Sequence, residues 1–174
     1  VANEILIRYD VEIDALLREL SGGATSELDQ ISELRNLNRS HNNHDIVGRD
    51  SELELMISIL SRKEKANPLL IGEPGVGKTA LVEKLAGMIA EKQVPETLQD
   101  ALIYELHLNS LVAGTKYRGD FEEKIQNLIQ VLEKHPNVIL FIDEIHQMIG
   151  AGKSEGSIDV SSVLKPYLAR GLIK

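Results

Sequence analysis

Eight residues constrain this chain more than any others. Gly72-Glu73-Pro74-Gly75-Val76-Gly77-Lys78-Thr79 is a complete G-x-x-x-x-G-K-[ST] run. A short apolar stretch, Leu69-Leu70-Ile71, precedes it and reads as a buried strand. A helical pattern follows from about Thr79 to Glu91, with Leu81, Leu85, Met88 and Ile89 on one face. Strand, glycine loop and helix in that order make a cradle for phosphate. Glycines let successive backbone N–H groups turn inward as an anion nest. The helix that starts there aims its positive end at the same point. Lys78 reaches the β- and γ-phosphates as a point charge. The Thr79 hydroxyl suits Mg²⁺, a hard cation that takes oxygen ligands.

The rest of the pattern extends this unit into an α/β sheet. Ser51 and Glu54 have capping-box spacing, and Leu53, Met56, Ile57 and Leu60 give a helix its apolar face until Pro68 breaks it. Ile103–Leu108 alternates like a strand. Asp120 with Glu123 opens a helix whose Phe121, Ile125, Leu128, Ile129 and Leu132 face inward. Val138–Ile142 is five apolar residues in a row, the mark of a strand buried on both faces of a parallel sheet. A last helix spans about Asp159 to Ala169. Strands alternating with helices predict a parallel sheet with right-handed crossovers.

The front of the chain has a different character. Ile13, Leu16, Leu17 and Leu20 share one helix face, and Ser21-Gly22-Gly23 stops that helix. Residues 21–45 are polar and weakly periodic, and read as a linker with one short helix around Leu28–Leu37. The expected organisation is residues 1–20, a linker over 21–45, and the phosphate-loop unit over 46–174.

Composition removes several function classes. The 174 residues are 43% hydrophobic and 26% charged, a globular balance. No apolar run approaches the roughly 20 residues of a membrane span. There are 0 cysteines, so disulfides and thiolate metal sites are excluded, and a reducing compartment such as the cytoplasm is expected. The formal net charge of −8 repels nucleic acid on average. The five histidines, His41, His44, His107, His135 and His146, lack metal-ligand spacing and read as structural or solvated.

Two further features carry chemistry. Asp143-Glu144 ends the most hydrophobic strand, at the edge where sheet ligands bind. Asp143 is the candidate Mg²⁺ partner and Glu144 the candidate general base toward water. Gly114-Thr115-Lys116-Tyr117-Arg118-Gly119 places one aromatic between two cations. It reads either as an exposed gripping finger or as an ordinary turn.

These residues carry a resemblance. Ile46-Val47-Gly48-Arg49-Asp50 and Asn67–Thr79 look like the first ATPase module of Clp-type AAA+ unfoldases, the group shared by ClpC, ClpA and ClpB, with a lean towards ClpC. The helix at 11–20 is similar to the last helix of that family's N-terminal adaptor-binding domain, which makes residues 1–20 the expected end of such a domain, and Ala113–Glu122 resembles the family's first pore loop. Phe141–His146 and Ile149–Lys153 resemble its Walker B strand and second pore loop, and Leu164-Lys165-Pro166 and Leu168–Gly171 continue the match. The resemblance implies a P-loop AAA+ fold that hydrolyses ATP between subunits of a hexameric ring. It gives Val47 and Gly48 to the adenine. It gives Gly72, Glu73, Pro74, Gly75, Val76, Gly77, Lys78, Thr79, Ala80 and Asp143 to ATP or ADP, with Thr79 and Asp143 also serving Mg²⁺. Lys78 and Glu144 take the catalytic roles. Lys116, Tyr117 and Arg118 take the polypeptide that is pulled through the channel. Unfolded proteins, adaptors and a ClpP-type peptidase are the implied partners.

The resemblance also implies parts beyond Lys174: a polar sensor strand, an arginine finger and a helical lid. The sensor strand would sit between the phosphate-loop strand and the Asp143 strand. The chain is therefore expected to be a piece of a larger protein, slow to hydrolyse ATP alone. Family members often carry several arginines before the Asn-Pro, whereas Ser61–Ala66 holds one, Arg62. The competing reading is a nucleotide-gated binding scaffold without turnover. A nucleic-acid motor on the same fold is opposed by the −8 charge and by Tyr117.

Overall fold

Leu102–Leu106 and Val138–Phe141 are the two strands on which the larger part of the molecule is built. The computed structural model describes residues 27–39, 46–112, 118–145, 160–171 and 173–174. The chain divides into two units, Val1–Ser32 and Glu33–Lys174. In the first, the described residues form one helical turn over 27–29. The apolar helix face expected over 13–20 lies outside the described residues.

The second unit runs β1 (Leu34–Asn36), α1 (Asp50–Leu60), α2 (Lys78–Ala90), a 3₁₀ turn (Glu96–Leu98), β2 (Leu102–Leu106), α3 (Leu108–Val112), α4 (Arg118–Glu133), β3 (Val138–Phe141) and α5 (Val160–Arg170). The sheet order is β1-β2-β3. β2 and β3 are parallel, with Leu102 opposite Val138 and Glu105 opposite Phe141. β1 is antiparallel to β2, with Leu34 opposite Leu106. The sheet is therefore mixed rather than wholly parallel.

Side-chain alternation divides the core between the two sheet faces. Ile103 and Ile139 join Leu53, Met56 and Leu60 of α1 and Leu81, Val82, Leu85, Ala86 and Ile89 of α2 in one cluster. Tyr104, Leu106 and Val138, of the opposite parity, are buried too, as is the α4 stripe Phe121, Ile125, Ile129 and Leu132. Each such Leu or Ile contributes about 1.5–3 kcal/mol by leaving water.

Four local expectations are corrected. Leu69-Leu70-Ile71 is not a strand: it has no ladder partner among the described residues, and Leu69 and Ile71 are 67% and 87% exposed. An apolar run becomes a strand only when a neighbour satisfies its backbone. On β3, the Leu140 N–H instead donates to the Lys174 carbonyl at 2.8 Å, and Ile173 beside it is buried.

The helix expected around 28–37 gives way to β1. Arg35 meets Glu105 at 3.2 Å, and the Ile103 N–H donates to Asn38 Oδ1 at 2.7 Å, so long-range partners select the extended form. The Ser51/Glu54 capping box does not form. α1 begins two residues earlier than that box requires, at Asp50 with Arg49 as its N-cap and no side-chain cap, and the Ser51 hydroxyl donates to Glu52 at 2.8 Å. Finally, α1 ends at Leu60, well before Pro68, where the Ser61 N–H and hydroxyl both bond the Ile57 carbonyl at 3.0 and 2.8 Å.

Candidate functional site

The glycine loop enters α2 through backbone that favours glycine. Gly75 and Gly77 have φ of +79° and +89°. Gly77 is the N-cap residue of α2 and makes no side-chain cap bond. The first-turn N–H groups of α2 thus open towards the loop, where an anion would complete them. Residues 72–77 are exposed and residues 78–80 are half-buried. Gly72 is tight for a second reason: a Cβ there would lie 3.1 Å from Val76 Cγ2.

Lys78 is the first residue of α2, and its ammonium lies over the loop. Nζ donates to the carbonyls of Gly72 and Glu73, each at 2.9 Å. An ammonium has three donors, so one remains beyond these two bonds. Thr79 points the other way, to the end of the sheet. Its hydroxyl donates to Asp143 Oδ2 at 2.8 Å, joining residues 64 apart in sequence.

Asp143 is half-buried just past β3. Its second oxygen, Oδ1, accepts the Glu144 backbone N–H at 2.8 Å. Glu144 is exposed and has φ of +50°. A non-glycine residue in this region costs of order 1–3 kcal/mol, and such residues cluster at functional sites.

Among the described residues no group of three or more His, Cys, Asp or Glu gathers around a metal position. The Thr79–Asp143 pair is a different donor set: one hydroxyl and one carboxylate, both hard oxygens. Mg²⁺ is held by few protein ligands of this type, with waters and phosphates completing its shell. The residues present fit such an ion.

Val47 and Gly48 lie on the segment that leads into α1. Val47 is 90% exposed, and Gly48 has φ of +81°. Lys84 of α2 reaches this segment, with Nζ 3.1 Å from the Ile46 carbonyl and 3.5 Å from Asp50 Oδ1. Beyond it, Arg49 bonds Glu52 at 2.7 Å. The Arg49 guanidinium, helped by the Ser51 hydroxyl, holds the Glu52 carboxyl down from 4.5 to about 2.

The structure thus brings together Gly72, Glu73, Pro74, Gly75, Val76, Gly77, Lys78, Thr79 and Ala80 with Asp143 and Glu144. Lys116 and Tyr117 lie outside the described residues. Arg118 opens α4 by its backbone. Residues 146–159, with the second glycine loop and His146, are also outside them. Sequence reasoning missed Lys84, because a lysine's bond to a distant carbonyl leaves no motif.

Comparison with known proteins shows the family and the fold. Residues 68–172 match the model of the ATPase family associated with various cellular activities (AAA). The ATP-dependent Clp protease ATP-binding subunit ClpC of Staphylococcus epidermidis is 55% identical over 126 residues, covering 72% of this chain and 15% of that protein. The ClpC of Staphylococcus aureus is 54% identical over the same length and shares. The chain therefore spans about 15% of the length of these relatives. A structure of the S. cerevisiae Hsp104–ADP complex superposes with a TM-score of 0.70 at 39% identity, covering 82% of this chain and 20% of that one. The S. cerevisiae Hsp104–casein complex in its extended conformation gives 0.68 at 40% identity, with 80% and 24% covered.

Proposed function

Because this chain belongs to the AAA family of ATPases, in its Clp-type branch, we propose that it is the first ATP-hydrolysing module of a ring-forming protein unfoldase. The observation that carries the reading is the 2.8 Å bond between Thr79 and Asp143. It joins the helix of the phosphate loop to the carboxylate at the end of β3, so that both halves of one catalytic site meet.

The roles follow from the chemistry of each group. The loop N–H groups and Lys78 bind the phosphates of ATP. Thr79 and Asp143 hold Mg²⁺, which when bound neutralises charge on the phosphate oxygens. Glu144, exposed beside Asp143, orients a water and accepts its proton. Val47, Gly48 and Ala80 line the nucleoside side. Lys116, Tyr117 and Arg118 form a loop that grips an unfolded polypeptide and moves with the nucleotide state.

The resemblance to ClpC and to Hsp104 bound to casein supports an unfolded-protein substrate. We extend the same reading to a cytoplasmic hexamer served by adaptors and a ClpP-type peptidase, with an arginine finger from elsewhere in the ring. The chain by itself turns over slowly. No helix among the described residues is long and apolar enough to cross a membrane.

Two variants of the intact protein test this. Glu144→Gln keeps ATP binding and loses turnover. Tyr117→Ala keeps ATPase activity and loses unfolding of a model substrate. An intact Glu144→Gln turnover would instead mark a nucleotide-gated scaffold, and unchanged unfolding by Tyr117→Ala would make its loop a turn.

A further inference from the structure

Lys84 has no part in the phosphate chemistry, yet its ammonium bridges two ends of one short segment. Nζ is 3.1 Å from the Ile46 carbonyl and 3.5 Å from Asp50 Oδ1. Between those anchors lie Val47, Gly48 and Arg49. We propose that Lys84 is a positioning residue for the nucleoside side of the site: it pins the 46–50 segment to α2 and sets where the base is received relative to the phosphate loop. The inference rests on the ATP-site reading above.

The argument is one of rigid connection. Lys84 stands six positions after Lys78 on the same helix, about 9 Å further along its axis. α2 is fixed in the core by Leu81, Val82, Leu85 and Ala86, each at most 5% exposed. The segment it holds has little packing of its own. Val47 is 90% exposed, and a Cβ on Gly48 would meet nothing within 4 Å. A segment of this kind is ordered by polar ties or by its ligand. The Lys84 side chain is 25% exposed, so its bond to a carbonyl is partly shielded from water and charge-assisted.

Ordering a loop before a ligand arrives removes that cost from binding. The phosphate side has separate anchors: Gly77 at the helix start, Lys78 on two loop carbonyls, and Thr79 on Asp143. Loss of the Lys84 ammonium therefore frees the base-receiving segment and leaves the phosphate cradle in place. That separation distinguishes a positioning role from general support of the helix.

The test compares two ligands on the intact protein, ATP and inorganic tripolyphosphate, each with Mg²⁺, by titration calorimetry. Lys84→Met keeps the aliphatic stem and removes the charge and donors. Its dissociation constant for ATP should rise by about tenfold, the scale of one ordered polar tie. Its tripolyphosphate constant should stay within about twofold. Lys84→Arg, which restores charge and donors, should recover most of the ATP affinity. Equal weakening of both ligands, or of neither, overturns the inference while leaving the ATP site intact. A parent protein that binds neither ligand overturns the ATP-site reading and this inference with it.

Discussion

Gly77→Ala isolates the contribution of backbone conformation to the site. Gly77 sits at φ +89° where α2 begins, and a Cβ there would meet nothing within 4 Å. The substitution therefore carries no clash, only the left-handed penalty of an L-residue, roughly 1–2 kcal/mol. With a urea dependence of about 1–3 kcal/mol/M, the midpoint should fall by roughly 0.3–2 M. The chain can escape part of this cost by turning residue 77 to negative φ. That escape rotates the N–H groups at the helix start away from the loop, so ATP affinity falls by tenfold or more, about 1.4 kcal/mol. Urea unfolding and ATP calorimetry on the same variant read both terms. Gly119→Ala is the control: Gly119 lies in the first turn of α4, with open space at its Cβ. It should gain up to about 1 kcal/mol and leave ATP binding unchanged. Unchanged ATP affinity in Gly77→Ala, or a stability loss well above 3 kcal/mol, would refute the reasoning.

Two further outcomes follow from packing and charge. Leu85→Ala removes a side chain 1% exposed between α2 and the sheet, and should cost about 2–5 kcal/mol in denaturant unfolding. Glu52→Gln tests the Arg49 contact. The folded carboxyl lies at about 2 against an ordinary 4.5, so its contribution is present above 4.5 and is lost as pH falls through about 2. The contact lies at the surface, with the Arg49 and Glu52 side chains 46% and 43% exposed, so the parent–variant gap in urea midpoint should be small, constant above pH 4.5, and narrowing below it.

The parts legible in the sequence were those governed by local rules. The phosphate loop needs glycine at positive φ, and Gly75 and Gly77 supply it. α2 was legible to within one residue at each end, from its apolar stripe. β3 was legible from its apolar run, although Leu140 and Phe141 are only half-buried. The failures share a cause: each depended on a partner far along the chain. Leu69–Ile71 has strand composition but no ladder among the described residues. β1 is three residues in a polar segment, and its form is selected by Glu105 and by the bond from Ile103 to Asn38. The Ser51/Glu54 spacing was correct for a cap, but starting α1 at Asp50 put Ser51 inside the first turn. Lys84 was invisible because its main partner is a backbone carbonyl 38 positions away.

The measurement that bears most directly on the account is a double-mutant cycle on Mg·ATP affinity with Thr79→Val and Asp143→Asn in the intact protein. If the 2.8 Å pair forms one site, each single change should weaken Mg·ATP by about tenfold or more, and the double should be little worse than either single. Strict additivity, or Mg·ATP affinity indifferent to both changes, would show that the phosphate loop and the end of β3 do not work as one site.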